Sequence, residues 1–322
     1  MLKKGYAVHG LVRRASSYNR SRIDHLRTEE NLESGRLTLH YGELNDLTSF
    51  HRLLHKVEPD EIYHLAGQSH VGLSFEIPEI TCLENGMATL HLLEAMRELE
   101  TPARLYIAAS SEIFGTPETA PQTEETPVNP RNPYGAAKAF AFNLGRIYRE
   151  SHGIFVANGI LYNHESPRRG ENFVTRKITR SAVQIARGDL DSIELGNLDG
   201  RRDWGYAAEY VEGMWRMLQA DKADDYLLAT GVATSVRDFA HAAFTAAGVS
   251  LRFEGEGVAE TGIREDDGRT VITVSPKFYR PVDAGHLCGD ASKAKADLGW
   301  EAKTSATDLA ALMVQAEMDS SH

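Results

Sequence analysis

Short apolar stretches ending in small or polar residues alternate along this chain with amphipathic segments of helical period, and few folds accommodate that order. Candidate strands at 7–12, 36–41, 61–66, 105–109 and 154–160 are separated by candidate helices at 47–56, 83–99 and 134–152. Strands that alternate with helices pair in parallel through crossover connections. The first part of the chain is therefore predicted to be α/β, with a doubly wound parallel sheet.

From 163 the texture changes. A polar stretch at 163–170 precedes a helix at 173–187, a polar loop at 201–206, a helix at 208–219 and a strand at 226–229. Beyond it come a helix from about 233 to 247, a Gly/Glu-rich stretch at 254–268, a short strand at 270–274 and a terminal helix at 306–317. At 322 residues a single core is near its useful limit. The predicted division is a Rossmann-like dinucleotide domain over 1–162, to which 204–232 returns, and a smaller mixed α/β substrate lobe over 163–203 and 233–322.

Composition excludes some functions. The 35 Lys+Arg against 46 Asp+Glu leave a net charge of -11, which argues against a general nucleic-acid binder. The two cysteines, Cys82 and Cys288, stand far apart, so a reduced compartment without a thiolate metal cluster is expected, with a lone disulfide left open. No apolar run is long enough to span a bilayer, and the opening MLKKGYAVHG lacks the features of a secretory signal. A cytoplasmic protein with no membrane partner and no metal is expected.

The chemistry concentrates at two places. LYIAASSEIFG reads as a buried strand that breaks into Ser110, Ser111 and Glu112 at its carboxyl end, where open α/β sheets bind their ligands. NPYGAAK opens a helix in which Tyr134 and Lys138 share one face. A phenol with an unperturbed pKa near 10 is a poor base at neutral pH, and a neighbouring ammonium favours its phenolate. Such a set suits removal of a proton and a hydride from a sugar alcohol. Glu112 as a solvated turn carboxylate is the plainer alternative.

Other strand ends point to a dinucleotide. Arg13, Arg14 and Ser16 follow the strand at 7–12, where an acidic residue would bind the ribose of NAD; arginines and a serine suit the 2′-phosphate of NADP. Glu43 and Leu44 would border the adenine. Leu65, Ala66 and Gln68 follow the strand at 61–66, and His70 beyond them is expected to be structural or orienting. No GxGxxG precedes 7–12, and MLKKG reads as the last turn of the helix that should follow it. The sheet is thus predicted without its first strand and glycine-rich turn; a late start and a genuine loss that weakens cofactor binding both stay open.

Taken with NHESPRRGENFVTRKI at 163–178, LGNLDGRRDWG at 195–205 and FYRP at 278–281, these motifs resemble the GDP-mannose 4,6-dehydratase family of the extended short-chain dehydrogenase/reductases. The resemblance spans essentially the whole chain. It implies conversion of GDP-mannose to a 4-dehydro-6-deoxy product plus water, through tightly bound NADP that is regenerated. Tyr134 would take the O4 proton, Glu112 the C5 proton, Ser110 would polarise O4 (threonine is usual there), and Lys138 would hold the cofactor. Ser69, Asn163, Arg169, Asn172, Val174, Lys177, Arg202, Arg280 and Asp283 would contact the GDP-sugar. The nucleotide end departs from the pattern at Asp283, Gly285 and His286. A homodimer through 83–99 and 134–152, or a homotetramer through the loop at 13–35, is implied. A reductase of the 4-keto sugar, a dehydratase of another GDP-sugar such as a heptose, and a nucleotide-binding protein without turnover are the alternatives.

Overall fold

The computed structural model describes residues 1–16, 18–99, 103–278 and 287–320. It divides into two compact units, one formed by 1–113, 130–158 and 221–224, the other by 114–129, 159–220 and the chain from 225.

The first unit begins with the parallel pair β1 (Val8–Val12) and β2 (Leu37–Tyr41), in which Val8 lies opposite Leu37 and Val12 opposite Tyr41. The connection between them, read from sequence as loop, contains a turn of 3-10 helix at Asp24–Leu26 and the short helix α1 (Glu29–Glu33), started by the Thr28 hydroxyl on the Asn31 amide. Helix α2 (Leu47–Val57) follows, capped by the Asp46 carboxylate on the Thr48 amide at 3.0 Å. Strand β3 (Glu61–His64) pairs in parallel with β4 (Arg104–Ala108). The next strand is β5 (Val156–Leu161), whose residues are all buried. Continuous burial on both faces is what helices packed on a parallel sheet produce.

The helix predicted over 83–99 is interrupted. Helix α3 (Pro78–Cys82) runs through a single π turn, Leu83–Met87, into α4 (Ala88–Arg97). Helix α5 (Pro133–His152) is the longest of the unit, with Asn132 as its cap, Pro133 at its first position and Gly153 as its stop. The core joins Phe50 and Leu54 of α2, Leu92, Leu93 and Met96 of α4, Leu105 and Ile107 of β4, and Tyr148 of α5.

In the second unit the polar stretches read as loops are strands. Strand β6 (Asn163–Glu165) pairs in parallel with β8 (Arg201–Tyr206), and β10 (Ala233–Ser235) lies antiparallel on the other side of β8. Their side chains carry too many charges for a period-2 pattern to emerge from the sequence. Strand β9 (Asp225–Leu228) is buried along its whole length. The Gly/Glu-rich stretch contains another unforeseen strand, β12 (Thr261–Arg264), set between β11 (Leu251–Glu254) and β13 (Thr270–Val274); β13 pairs in parallel with β7 (Ile193–Leu195). Helices α6 (Val174–Arg187), α8 (Val236–Ala246) and α10 (Ala306–Ser320) bury Ile178, Phe239, Phe244, Leu309 and Met313 in a second core. Helices α7 (Ala207–Gln219) and α9 (Ser292–Leu298) complete the unit. Both cysteines are free. No helix among the described residues is long and apolar enough to cross a membrane.

Candidate active site

The carboxyl end of β4 and the first turn of α5 meet in the first unit. Past Ala108 the chain tightens into a 3-10 turn, Ser111–Phe114, in which the Ile113 amide donates to the Ser110 carbonyl at 3.1 Å. The Ser110 hydroxyl accepts the Glu112 amide at 3.3 Å. Ser110 and Ser111 are buried, whereas Glu112 and Tyr134 are half-buried. The four sequence-predicted residues Ser110, Glu112, Tyr134 and Lys138 thus belong to one strand end and one helix start.

Two contacts fix that juncture. The Lys138 ammonium donates to the Ala108 carbonyl at 2.9 Å, tying α5 to the last residue of β4. Asn132, which sequence reasoning left without a role, donates through Nδ2 to Glu112 Oε2 at 2.8 Å. Its Oδ1 accepts the Gly135 amide at 2.7 Å. The available signal was an asparagine before proline, a helix-start signature; the sequence could not show what its amide would meet. Gly135 is the other unread residue: a Cβ there would lie 2.6 Å from the Glu112 carbonyl oxygen.

The ammonium of Lys138 lies 5.9 Å from the centroid of the Tyr134 ring. Burial pushes its pKa down to about 8. Behind it, His64 at the end of β3 is buried, and burial first, then the Lys138 charge, pushes its pKa down to about 3. The Thr89 hydroxyl donates to the Asn85 carbonyl at 3.1 Å, so it accepts from His64 Nε2 at 3.1 Å and the proton sits on Nε2.

The predicted cofactor residues lie at strand ends of the same unit. Arg13, Arg14 and Ser16 are exposed beyond β1, and Arg13 approaches Glu84 of the π turn at 3.7 Å. Glu43 is exposed and Leu44 half-buried after β2. Leu65, Ala66 and Ser69 are exposed after β3. Gln68 is turned into its own loop: its Nε2 donates to the His70 carbonyl at 3.0 Å and to the Thr81 hydroxyl at 3.2 Å. His70 Nδ1 accepts the Leu73 amide at 3.0 Å, a structural task. At Gly67 a Cβ would come within 2.4 Å of Asn85 Oδ1, a buried oxygen with no hydrogen-bond partner.

Apart from Ser69, the described residues predicted to contact the GDP-sugar fall in the second unit. Asn163 lies on β6 and Arg202 on β8. Buried Glu165 accepts the Thr175 hydroxyl at 2.6 Å and pairs with Arg169 at 3.1 Å, so it ties the intervening loop, with Asn172, to the start of α6. The Arg169 guanidinium stacks 3.6 Å over the Phe173 ring. Val174 opens α6 and packs on the core. Lys177 donates to the Glu194 carbonyl and lies 4.7 Å over Phe278; burial lowers its pKa. Arg280 and Asp283 lie outside the described residues.

One group has metal-ligand spacing that the sequence reading passed over. His51 and His55 on α2 and Glu98 bring ligand atoms within 4.8 Å of one another, with His51 paired to Glu98 at 3.1 Å.

A mixed parallel fold with a Tyr-x-x-x-Lys helix beside a strand-end Ser-Ser-Glu defines an extended short-chain dehydrogenase/reductase. Solved structures agree on that fold. The dTDP-glucose 4,6-dehydratase of Streptomyces venezuelae, solved with NAD bound, superposes with a TM-score of 0.79 at 20% identity over 99% of this chain and 91% of that one. RMD from Pseudomonas aeruginosa, solved with NADPH, gives 0.73 at 21% identity over 88% and 90%. Within that class the chain belongs to the GDP-mannose 4,6-dehydratase family, whose sequence model matches residues 1–313. A GDP-mannose 4,6-dehydratase of Sinorhizobium fredii is 48% identical over 99% of this chain and 91% of its own length.

Proposed function

We propose that this chain dehydrates GDP-mannose to GDP-4-dehydro-6-deoxy-mannose, using NADP that it holds and regenerates. The observation that carries the reading is the Glu112 carboxylate anchored, through Asn132, beside the helix start that bears Tyr134. A plain reductase has no need of a base at that point.

The residues present fit a nicotinamide dinucleotide. A glycine with no room for a Cβ follows β3, the residues Leu65 and Ala66 before it are exposed, and Lys138 brings a buried ammonium to the Tyr134 ring. Arg13, Arg14 and Ser16 would hold the 2′-phosphate of NADP, Glu43 and Leu44 the adenine side, Leu65, Ala66 and Gln68 the middle, and Lys138 the nicotinamide ribose. When bound there, such a cofactor would supply reversible hydride transfer at C4 and C6.

The chain's own groups handle the protons. Tyr134, as phenolate beside Lys138, takes the O4 proton while the Ser110 hydroxyl hydrogen-bonds the same oxygen. A 4-keto group then acidifies the C5 proton because the resulting carbanion is an enolate. Glu112 removes that proton, and water leaves from C6. Holding the sugar in place throughout is what lets the second half of the reaction follow the first. Ser69, Asn163, Arg169, Asn172, Val174, Lys177, Arg202, Arg280 and Asp283 would bind the GDP-sugar; arginine forks match pyrophosphate oxygens.

The working division is 1–162 with 204–232 for the cofactor, and 163–203 with 233–322 for the sugar nucleotide. A cytoplasmic homodimer or homotetramer is the proposed form. Exposed Leu83, Phe140 and Ile147 on the helical segments 83–99 and 134–152 support the dimer. The test is to incubate the full chain with GDP-mannose and catalytic NADP+. The expected product is lighter by one water, with no net NADPH, by mass spectrometry of the sugar nucleotide. Stoichiometric NADPH consumption on a 4-keto sugar, with GDP-mannose untouched, would establish the reductase instead.

A further inference from the structure

We infer that Asn132 is a positioning residue for the C5 base, a role that rests on the dehydratase reading and extends it. As a helix cap, Asn132 is replaceable: asparagine, aspartate and serine satisfy the first-turn amides about equally well. Its Oδ1 performs that task on the Gly135 amide at 2.7 Å. Only asparagine among the three also carries an N–H donor, and that donor is on Glu112 Oε2 at 2.8 Å.

The second hydrogen bond has two consequences for Glu112. It fixes the carboxylate's rotation, because Asn132 is itself locked by its cap. It also occupies Oε2 and assigns Oε1 to the C5 proton. Because Asn132 stands two residues before Tyr134, one side chain sets the spacing between the group that starts C4 oxidation and the group that continues at C5.

The test compares Asn132→Asp and Asn132→Ser in the NADP-loaded enzyme with GDP-mannose. Both keep the cap, so thermal midpoints should stay close to that of the parent. Asn132→Ser loses the donor, and Asn132→Asp sets a second carboxylate against the first. The expected result is near-normal formation of bound NADPH. C5 deuterium exchange and water loss should fall about ten- to a hundredfold, a range set by hydrogen bonds to charged groups. If both variants exchange C5 and dehydrate normally while Glu112→Gln does neither, Glu112 remains the base and the positioning role is wrong. A uniform loss in every step with a lowered thermal midpoint also overturns it, by showing a purely structural effect. Normal C5 exchange in Glu112→Gln would remove the base assignment itself.

Discussion

Lys138 is a cation held where cations are costly, and its chemistry follows from that conflict. Burial lowers its pKa to about 8, so the ammonium that favours the Tyr134 phenolate is present below that pH and lost above it. The rate of C4 oxidation is therefore expected to decline as pH rises through about 8. An arginine stays charged throughout. Lys138→Arg should lower the rate tenfold or more because its planar fork cannot reproduce a point donor to the Ala108 carbonyl, yet its alkaline limb should flatten. A pH profile of single-turnover NADPH formation checks this; an unchanged limb in the variant would assign the titration to another group. At this scale the sequence placed Ser110 and Glu112 at a strand end and Tyr134 and Lys138 at a helix start, because strand-end position and helical spacing are both local. It was silent on Asn132, since the meaning of its amide depends on a carboxylate twenty positions away in sequence.

Among elements, α5 carries the most consequence. Its existence was legible from Pro133 at the first turn and the apolar period after it; its closeness to the 3-10 turn was not. Gly135 shows why: a side chain there would sit 2.6 Å from the Glu112 carbonyl and 3.2 Å from Pro130. Gly135→Ala gains helix propensity but must push α5 off the turn. A net destabilisation of about 1–3 kcal/mol is expected from overpacking, together with a disproportionate loss of dehydration. Chemical denaturation alongside turnover would test it, and a stabilised, fully active variant would show that the helix start can yield. The strands β6, β8 and β12 were missed for the opposite reason. Their register is fixed by neighbouring strands rather than by their own polar sequences, so nothing local announced them.

Across the whole molecule, the α/β class and parallel order followed from alternation alone; the sequence reading also brought the chain back, at 204–232, to the first domain, whereas contacts return 130–158 and 221–224 to the first unit. Contacts assign 114–129 and 204–220 to the second unit, and no composition shift marks those crossings. Global stability should carry the signature of His64. Its folded pKa of about 3 lies below the ordinary 6.5, so between these values the unfolded chain binds the extra proton. Stability from this site is complete above pH 6.5 and lost as pH falls toward 3, by up to about 5 kcal/mol. Burial raises the pKa values of Glu124, Glu165 and Asp203, which act in the opposite direction, so the difference between parent and His64→Gln is the useful quantity. Denaturant midpoints from pH 7 to pH 4 should converge for the pair as pH falls; parallel curves would mean that His64 protonates without unfolding the protein.

The chain leaves the first unit after Ile113 and rejoins it at Pro130, so the base and the phenol stand at the two feet of an excursion. Both feet are stapled together by the Asn132–Glu112 hydrogen bond, and within the second unit Gln122 is held by Tyr162 and Cys288. Closure entropy grows only logarithmically, so doubling such a loop costs about 0.6 kcal/mol. The reaction chemistry is thereby insulated from the length of the segment between its two principal groups. Residues inserted in the exposed part of 114–129, away from Gln122, are therefore expected to leave the pairing of carboxylate and helix start intact.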